Sequence, residues 1–364
     1  MLRRIVIVAT SFTLLLGVSA GALATYAYQK YNGQLKRVNA LQLHDTNIRK
    51  PQLQLNAENF LIIGSDTRAG QGVGYGNEAG ARSDTTILVH LSAGHRRATI
   101  ISFPRDSWVQ IPSCKAADGS VVAAHQELFN SAFSVGGPTC TIATVQLLTG
   151  LAVTHFIEID FSGFKDIVNA LGTVTMCSPV AVDDPESKLH LHPGNNPLDG
   201  TQALAYVRAR YTIGDGSDLG RIKRQQMFLG TVLRKALSGS LLSDPIALTH
   251  FLDAATKAIT IDRGTTFGDL RKLATSLSGL NPKRVVFYTA PIANRDYSPP
   301  GTAYSGKVQL DAAKGRVLYD SIINDTDLVT PKPSTSSSTT PASKPSTSSP
   351  AADTNAGDVA CSLG

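Results

Sequence analysis

Arginine and aspartate recur together at three points where short apolar runs begin or end. These groups are GSDTR at 64–68, RSDT at 82–85 and PRD at 104–106. A fourth basic stretch, ALAYVRARYTIGDGSDLGRIKRQQ over 203–226, carries Arg208, Arg210, Arg221, Lys223 and Arg224. The planar arginine fork matches pairs of phosphate oxygens, and two carboxylates suit Mg²⁺, a hard cation that often binds substrate phosphates. Any single Asp/Arg pair is better explained as a surface salt bridge, but the whole set at strand ends predicts a phosphate site with a metal.

Short β-branched runs must position these side chains. NFLIIGSD (59–66), TTILVHLS (85–92) and ATIISFP (98–104) are typical of strands, and the last two are close enough to form a hairpin. HFIEIDFSGFKDIVNALG predicts a strand and an amphipathic helix, with another strand at TVTM. Helices dominate the rest, apart from a strand at 284–292. We therefore predict a three-layer α/β/α fold with a central mixed sheet over 57–328, in which charged groups gather at the strand ends.

The N-terminal sequence predicts a membrane anchor. Arg3 and Arg4 precede the uncharged residues 5–28, enough to span a bilayer, and Tyr26, Tyr28 and Tyr31 resemble an interfacial aromatic belt. A cleaved signal peptide is the alternative, because small residues follow the apolar run. We expect a cytoplasmic start (1–4), a transmembrane signal anchor (5–28), a stem (29–56) and an extracytoplasmic domain at the cell membrane. The net charge of +6 among 364 residues is too small to indicate nucleic-acid binding.

The four cysteines all follow the apolar segment. An external compartment is usually oxidising, and the spacing of Cys114, Cys140, Cys177 and Cys361 does not suit zinc. Of three pairings we favour Cys114–Cys140 with Cys177–Cys361. The Ser/Thr/Pro-rich residues 329–364 lack apolar periodicity and predict a disordered tail.

Six motifs in order carry a specific resemblance. The motifs GSDTR, RSDT, SFPRD, FNSAFSVGG, LDGTQALAYVRAR and GDGSDLGRIKRQQ resemble those of the LytR-CpsA-Psr family of membrane-anchored cell-wall enzymes, most strongly over 60–235. The resemblance implies a phosphotransferase that moves an anionic glycopolymer from a polyprenyl-diphosphate carrier onto peptidoglycan, with Mg²⁺ or Mn²⁺ as cofactor. The loop at 70–81 is longer than in many members.

The resemblance also implies roles for individual residues. Asp66 and Asp84 match metal ligands, and Gln225 matches a residue that hydrogen-bonds phosphate. The residues matching the diphosphate clamp are Arg68, Arg82, Arg105, Arg208, Arg210 and Arg221. Candidates for the general base are Asp66, Asp84 and Asp106. The lipid needs an apolar tunnel, for which residues 140–151, 156–171 and 227–237 are candidate walls.

Two alternatives remain open at the level of sequence. A hydrolase acting on polyprenyl-diphosphate-linked glycans would use the same site with water as the acceptor. A non-catalytic polyprenyl-phosphate-binding regulator would keep the site without the reaction. Direct DNA binding is disfavoured, because the sequence shows no helix-turn-helix and the basic residues follow the anchor.

Overall fold

A central mixed sheet organises the chain. The computed structural model describes residues 2–66, 83–116, 118–209, 218–281, 284–326 and 354–355. Eight described strands form the sheet, in the order β1 (Lys36–Val38), β14 (Ile259–Asp262), β9 (His155–Asp160), β2 (Glu58–Ser65), β3 (Ser83–Leu91), β4 (Ala98–Phe103), β15 (Val285–Thr289) and β18 (Thr354–Asn355). The pairs β1–β14, β9–β2 and β4–β15 are parallel, whereas β14–β9, β2–β3, β3–β4 and β15–β18 are antiparallel. The predicted mixed sheet and the hairpin are therefore confirmed.

The described helices include every helix predicted from the sequence. They are α1 (Leu2–Gln34), α2 (Ser131–Thr149), α3 (Phe161–Ala170), α4 (Gly200–Arg208), α5 (Asp218–Ala236), α6 (Gly239–Leu242), α7 (Pro245–Ala258), α8 (Phe267–Ser278) and α9 (Ala312–Ile323).

Smaller two-stranded sheets flank the central one. Their strands are β5 (Trp108–Ile111), β6 (Cys114–Lys115), β7 (Val121–Val122), β8 (His125–Leu128), β10 (Val174–Ser178), β11 (Val182–Asp184), β12 (Leu189–Leu191), β13 (Gly194–Leu198), β16 (Ile292–Tyr297) and β17 (Lys307–Leu310). They pair as β5–β8, β6–β7, β10–β13, β11–β12 and β16–β17. The predicted strand at TVTM thus exists as β10 but pairs outside the central sheet.

The two faces of the sheet carry separate cores, which gives three layers. Side chains alternate along β2: Leu61 and Ile63 enter a core with α2 and α9, whereas Phe60 and Ile62 enter a core with α8. A central strand buried on both faces needs apolar residues at consecutive positions, which explains the run FLII. The predicted α/β/α layering follows from these two cores.

The segment predicted as a stem belongs to the folded domain. Strand β1 extends the central sheet by pairing with β14, and Ala40 is buried in a core cluster. The predicted boundary between stem and domain at residue 57 is therefore wrong. A short strand can join an open sheet edge through its backbone hydrogen bonds, which the side-chain sequence does not reveal. The end of α1 also packs against the domain, since the rings of Tyr31 and Phe267 lie 5.4 Å apart.

The contact between α1 and the domain revises the aromatic-belt interpretation. Tyr31 is buried, and Tyr28 lies edge-on to Phe267 at 6.3 Å, so these rings contact α8. Among the residues that the structure describes, no helix combines the length and hydropathy that crossing a membrane requires. The anchor over 5–28 stays a prediction.

The cysteines and the tail give two further outcomes. Cys114 and Cys140 form a disulfide, as predicted. Cys177 is disulfide-bonded, but Cys361 lies outside the described residues, so the pairing of these two stays a prediction. The tail prediction is wrong at Thr354 and Asn355, which pair with β15 through backbone groups that composition does not reveal. The rest of the tail also lies outside the described residues.

Candidate functional site

A cavity of about 330 Å³ lies between one face of the central sheet and helices α3, α4 and α5. Its walls are mostly apolar, and several of its charged residues lie where β3, β4 and the ends of α4 and α5 meet. The apolar lining comprises Ile62, Ile87, Ile159, Phe161, Phe164, Ile167, Val168, Leu204, Val207, Phe228, Leu229 and Val232. The polar lining comprises Asp84, Thr85, Arg105, Asp160, Glu186, Arg208, Arg221 and Gln225. We call this polar end the mouth of the cavity.

Helix α5 contributes to both parts of the cavity because of its residue spacing. Arg221, Gln225, Phe228 and Val232 recur every three or four positions and therefore share one face of the helix. The first two lie within two turns of the N-terminus, and the last two lie farther along. A single helix face thus passes from cationic to apolar. Its N-terminal end adds a partial positive charge that favours an anion.

Arg105 is the centre of the charge network at the mouth. Its Nη1 donates a 2.5 Å hydrogen bond to Asp84 Oδ1, and its Nε lies 3.7 Å from Asp106 Oδ2 and 3.9 Å from Asp218 Oδ1. Burial by itself lowers the pKa of the Arg105 guanidinium, but the three carboxylates outweigh burial and raise it. Arg105 is therefore a fixed cation held between three acidic side chains.

Arg208 and Arg221 complete the described cations of the mouth. The Arg208 guanidinium lies 4.8 Å from the centre of the Phe161 ring, a cation–π contact that directs it over the cavity. Arg221 is 5% exposed and pairs with Asp218 one turn earlier on α5. Gln225 Nε2 donates to the Val207 carbonyl at 3.2 Å, which fixes the amide beside both arginines.

Strands β2 and β3 bring the two predicted metal ligands to one end of the sheet. Ser65 pairs with Ser83, so Asp66 and Asp84 each adjoin the last paired residues. The pairing register of β2 and β3 shifts between Gly64 and Ser65. At this irregularity the consecutive residues Asp84 and Thr85 both line the cavity. The described residues contain no cluster of three or more candidate ligands. Two carboxylates beside a phosphate site fit Mg²⁺, which commonly takes one or two carboxylates together with substrate oxygens.

Comparison with known proteins places these features in a family. The sequence profile of the LytR_cpsA_psr family matches residues 22–314. The chain belongs to this family. It is 32% identical over 273 residues to a probable cell wall biosynthesis protein, LcpB, of Corynebacterium glutamicum, covering 72% of this chain and 60% of the relative. It is 30% identical to the cell wall biosynthesis protein LcpA of the same organism, covering 66% of this chain and 51% of LcpA. The chain thus spans only part of both relatives.

Solved structures of the family have the same fold. A LytR-Csp2A-Psr enzyme from Actinomyces oris superposes with a TM-score of 0.57 at 24% identity, covering 79% of this chain and 95% of the other. TagT bound to LI-WTA superposes with a TM-score of 0.57 at 25% identity, covering 79% and 99%. In sequence, TagT of Bacillus subtilis is a polyisoprenyl-teichoic acid–peptidoglycan teichoic acid transferase, 30% identical over 247 residues, covering 65% of this chain and 72% of TagT.

Most described members of the predicted family site line the cavity. Asp84, Arg105, Arg208, Arg221 and Gln225 all do so. Asp66 lies at the adjoining strand end. Arg68, Arg82 and Arg210 lie outside the described residues, so their positions stay predictions.

The structure corrects one predicted wall and adds one residue. Of the candidate walls, 156–171 and 227–237 line the cavity, but residues 140–151 lie in the core on the opposite face of the sheet. Apolar periodicity identifies buried residues but does not say which face of a sheet they cover. The sequence interpretation also missed Asp218, which contacts Arg105 and Arg221. Its spacing of three residues before Arg221 is the signal that indicates this pair.

Proposed function

We propose that the chain is a phosphotransferase that moves an anionic glycopolymer from a polyprenyl-diphosphate carrier to peptidoglycan. The observation that carries the proposal is the joining of an apolar cavity to a polar mouth that carries Arg105, Arg208 and Arg221. A polyprenyl diphosphate has the same division, because its hydrocarbon chain must leave water while its phosphates keep their charge. The names of TagT and the Lcp relatives support cell-wall glycopolymer chemistry.

In this proposal the apolar walls hold the first part of the lipid and the arginines hold its diphosphate. Arg105, Arg208 and Arg221 stabilise the charge that develops on the phosphate oxygens as the bond to the carrier phosphate breaks. Arg68, Arg82 and Arg210 join them as proposed members of the clamp. Gln225 adds an amide whose position is fixed by the Val207 carbonyl.

The metal belongs to the same proposal. Asp66 and Asp84 would hold Mg²⁺ or Mn²⁺, which when bound offsets the negative charge of the diphosphate. The salt bridge from Arg105 occupies Asp84 Oδ1, so the clamp and the metal site share one carboxylate. Arg105 thereby orients the carboxylate that the cation would use.

We also propose that the N-terminal segment anchors the protein in the cytoplasmic membrane with the domain outside. A carrier lipid resides in that membrane, so anchoring keeps the cavity near its substrate. The packing of Tyr31 against Phe267 joins the end of α1 to the domain and limits how far the domain can move from the segment.

A reconstituted transfer reaction tests the function. The full chain in lipid vesicles is supplied with a polyprenyl-diphosphate-linked glycopolymer, peptidoglycan and Mg²⁺, and covalent attachment is measured by mass spectrometry of digested wall. We expect linked product, and Arg221→Lys to reduce its rate at least tenfold because a single ammonium cannot make bidentate contacts. Lys223→Ala is the matched control, since Lys223 is exposed two residues away on α5 and should transfer normally.

The outcomes separate the alternatives. Release of the polymer without attachment to peptidoglycan would establish the hydrolase. Carrier binding without either product would establish the regulator. Equal rates for Arg221→Lys and the native chain would contradict the assignment of the clamp.

A further inference from the structure

The only tryptophan of the chain, Trp108, lies on a polar aromatic surface and follows Arg105 of the mouth by three residues. The rings of Trp108 and Tyr304 have centroids 5.6 Å apart at an angle of 58°. Tyr304 is 38% exposed, and Lys307 Nζ lies 5.2 Å from the centre of its ring. Trp108 Nε1 donates to Gln126 Oε1 at 3.4 Å. We call Trp108, Gln110, Gln126 and Tyr304 the tryptophan platform.

Strand alternation explains why the platform faces outward. Val109 and Ile111 of β5 are buried in the core, so Trp108 and Gln110 lie on the opposite side of the strand. Gln126 of β8 pairs directly with Gln110 and therefore shares this side. Trp108 is half-buried and is not a member of the core cluster that contains Val109 and Ile111. The platform therefore offers an apolar ring face together with neutral hydrogen-bonding groups.

The platform is joined through the backbone to the segment that carries Arg105. The amide of Asn130 donates to the Arg105 carbonyl at 3.1 Å, and the amide of Val308 donates to the Asp106 carbonyl at 3.1 Å. Trp108 follows Arg105 by three residues, so their Cα atoms are at most about 11 Å apart. A sugar chain with one residue at the mouth can therefore extend onto the platform.

We propose that the tryptophan platform binds N-acetylated pyranose rings of the acceptor glycan, the peptidoglycan strand. This inference rests on the proposed transfer and adds the site of the acceptor. The negative face of an aromatic ring attracts the polarised C–H bonds on one side of a pyranose. The Gln110 amide nitrogen donates to the carbonyls of Ile111 and His125 at 3.1 and 3.0 Å, so the Gln110 oxygen is the group that can accept from acetamido N–H groups and hydroxyls, and the Gln126 amide nitrogen can donate to them.

The charge of the platform distinguishes the acceptor from the donor polymer. All four platform side chains are neutral, whereas an anionic polymer would favour arginines such as those of the mouth. The nearby cation, Lys307, faces the Tyr304 ring. The platform therefore suits the uncharged sugar backbone rather than the polyanion that is transferred.

Intrinsic fluorescence tests the platform directly, because all tryptophan emission comes from Trp108. The full chain in detergent micelles is titrated with tetra-N-acetylchitotetraose, a neutral chain of β-1,4-linked N-acetylglucosamine, without carrier lipid or metal. We expect a saturable change in emission. We also expect Tyr304→Ala to weaken binding at least fivefold, Tyr304→Phe to retain it within twofold, and Leu55→Ala, an exposed apolar control distant in sequence, to leave it unchanged.

Calorimetry extends the test to the tryptophan itself. Trp108→Ala should weaken binding of the same probe at least tenfold. Trp108→Phe should retain part of the affinity, and this variant controls for loss of binding that is caused by misfolding. No emission change up to millimolar probe would overturn the proposal, as would equal affinity for Trp108→Ala. Stronger binding of poly(glycerol phosphate) than of the neutral probe would also overturn it.

The failure of this proposal is distinguishable from failure of the proposed function. In the transfer assay, Tyr304→Ala should raise the KM for peptidoglycan at least fivefold and leave the KM for the carrier unchanged. Binding of the probe without any transfer would support the platform as a binding site and contradict the transferase function. Transfer with an unchanged KM for peptidoglycan in Tyr304→Ala would support the transferase function and contradict the platform as the acceptor site.

Discussion

Replacing Arg105 with methionine should destabilise the domain by about 3 kcal/mol. Methionine retains much of the arginine stem but leaves Asp84, Asp106 and Asp218 without the cation between them. Unit charges at about 4 Å interact by about 4 kcal/mol at an effective dielectric constant near 20, and removing one partner of a buried ion pair costs about 3–5 kcal/mol. The four side chains are 10–29% exposed, so water recovers part of this loss. The expected change in Tm is about 6–12 °C.

Thermal unfolding of Arg105→Met with and without Mg²⁺ provides the assay. Asp84 and Asp106 lose Arg105, while Asp218 keeps its pair with Arg221. The two carboxylates that lose Arg105 attract a divalent cation, so 5 mM MgCl₂ should raise the Tm of the variant more than that of the native chain. NaCl at matched ionic strength separates binding from screening. Arg316→Met is the control, because Arg316 is 75% exposed in its pair with Asp320 and its replacement should cost less than about 1 kcal/mol. An Arg105→Met chain that melts like the native chain would refute the reasoning, as would equal Mg²⁺ effects on both chains.

Three other perturbations have defined outcomes. Replacing Cys114 and Cys140 with alanine opens a loop of 26 residues and should cost about 3.5 kcal/mol in urea unfolding, so an unchanged midpoint would contradict a stabilising disulfide. Burial, together with the nearby charge of Arg97, lowers the pKa of His90 to about 4. The free energy of unfolding should therefore fall by about 3 kcal/mol as the pH drops from 6.5 towards 4. His90→Gln should flatten this pH dependence, and an equally steep profile in the variant would exclude His90 as its source. Asp84→Asn should weaken the Mg²⁺ dependence of transfer more than it lowers the Tm, and an unchanged Mg²⁺ response or activity that survives a chelator would remove Asp84 from the metal site.

Local sequence patterns predicted β2, β3, β4, β9, β10 and β15, the helices that follow them and many members of the site, but not the short strands β11–β14, β16 and β17 that lie between those helices. The run FLII is buried on both faces of the sheet, which is why β2 was recognisable without alternation. The spacing of Arg221, Gln225 and Phe228 indicated one helix face. The ordered motifs pointed to Arg105 and Arg208, and both line the cavity. These features depend on neighbours within a few positions, so sequence alone was sufficient.

Tertiary structure decided which distant groups meet. The apolar runs in α2 and α5 were both candidate walls of the lipid tunnel, yet of these two helices α5 lines the cavity, because the two helices pack on opposite faces of the sheet. Asp218 reaches Arg105 across 113 positions, and Lys36–Val38 joins the sheet through backbone hydrogen bonds. Hydrophobic burial is non-directional and backbone pairing is nearly independent of side chains. Composition and periodicity therefore determine that a segment is buried or extended, while the path of the whole chain determines its partner.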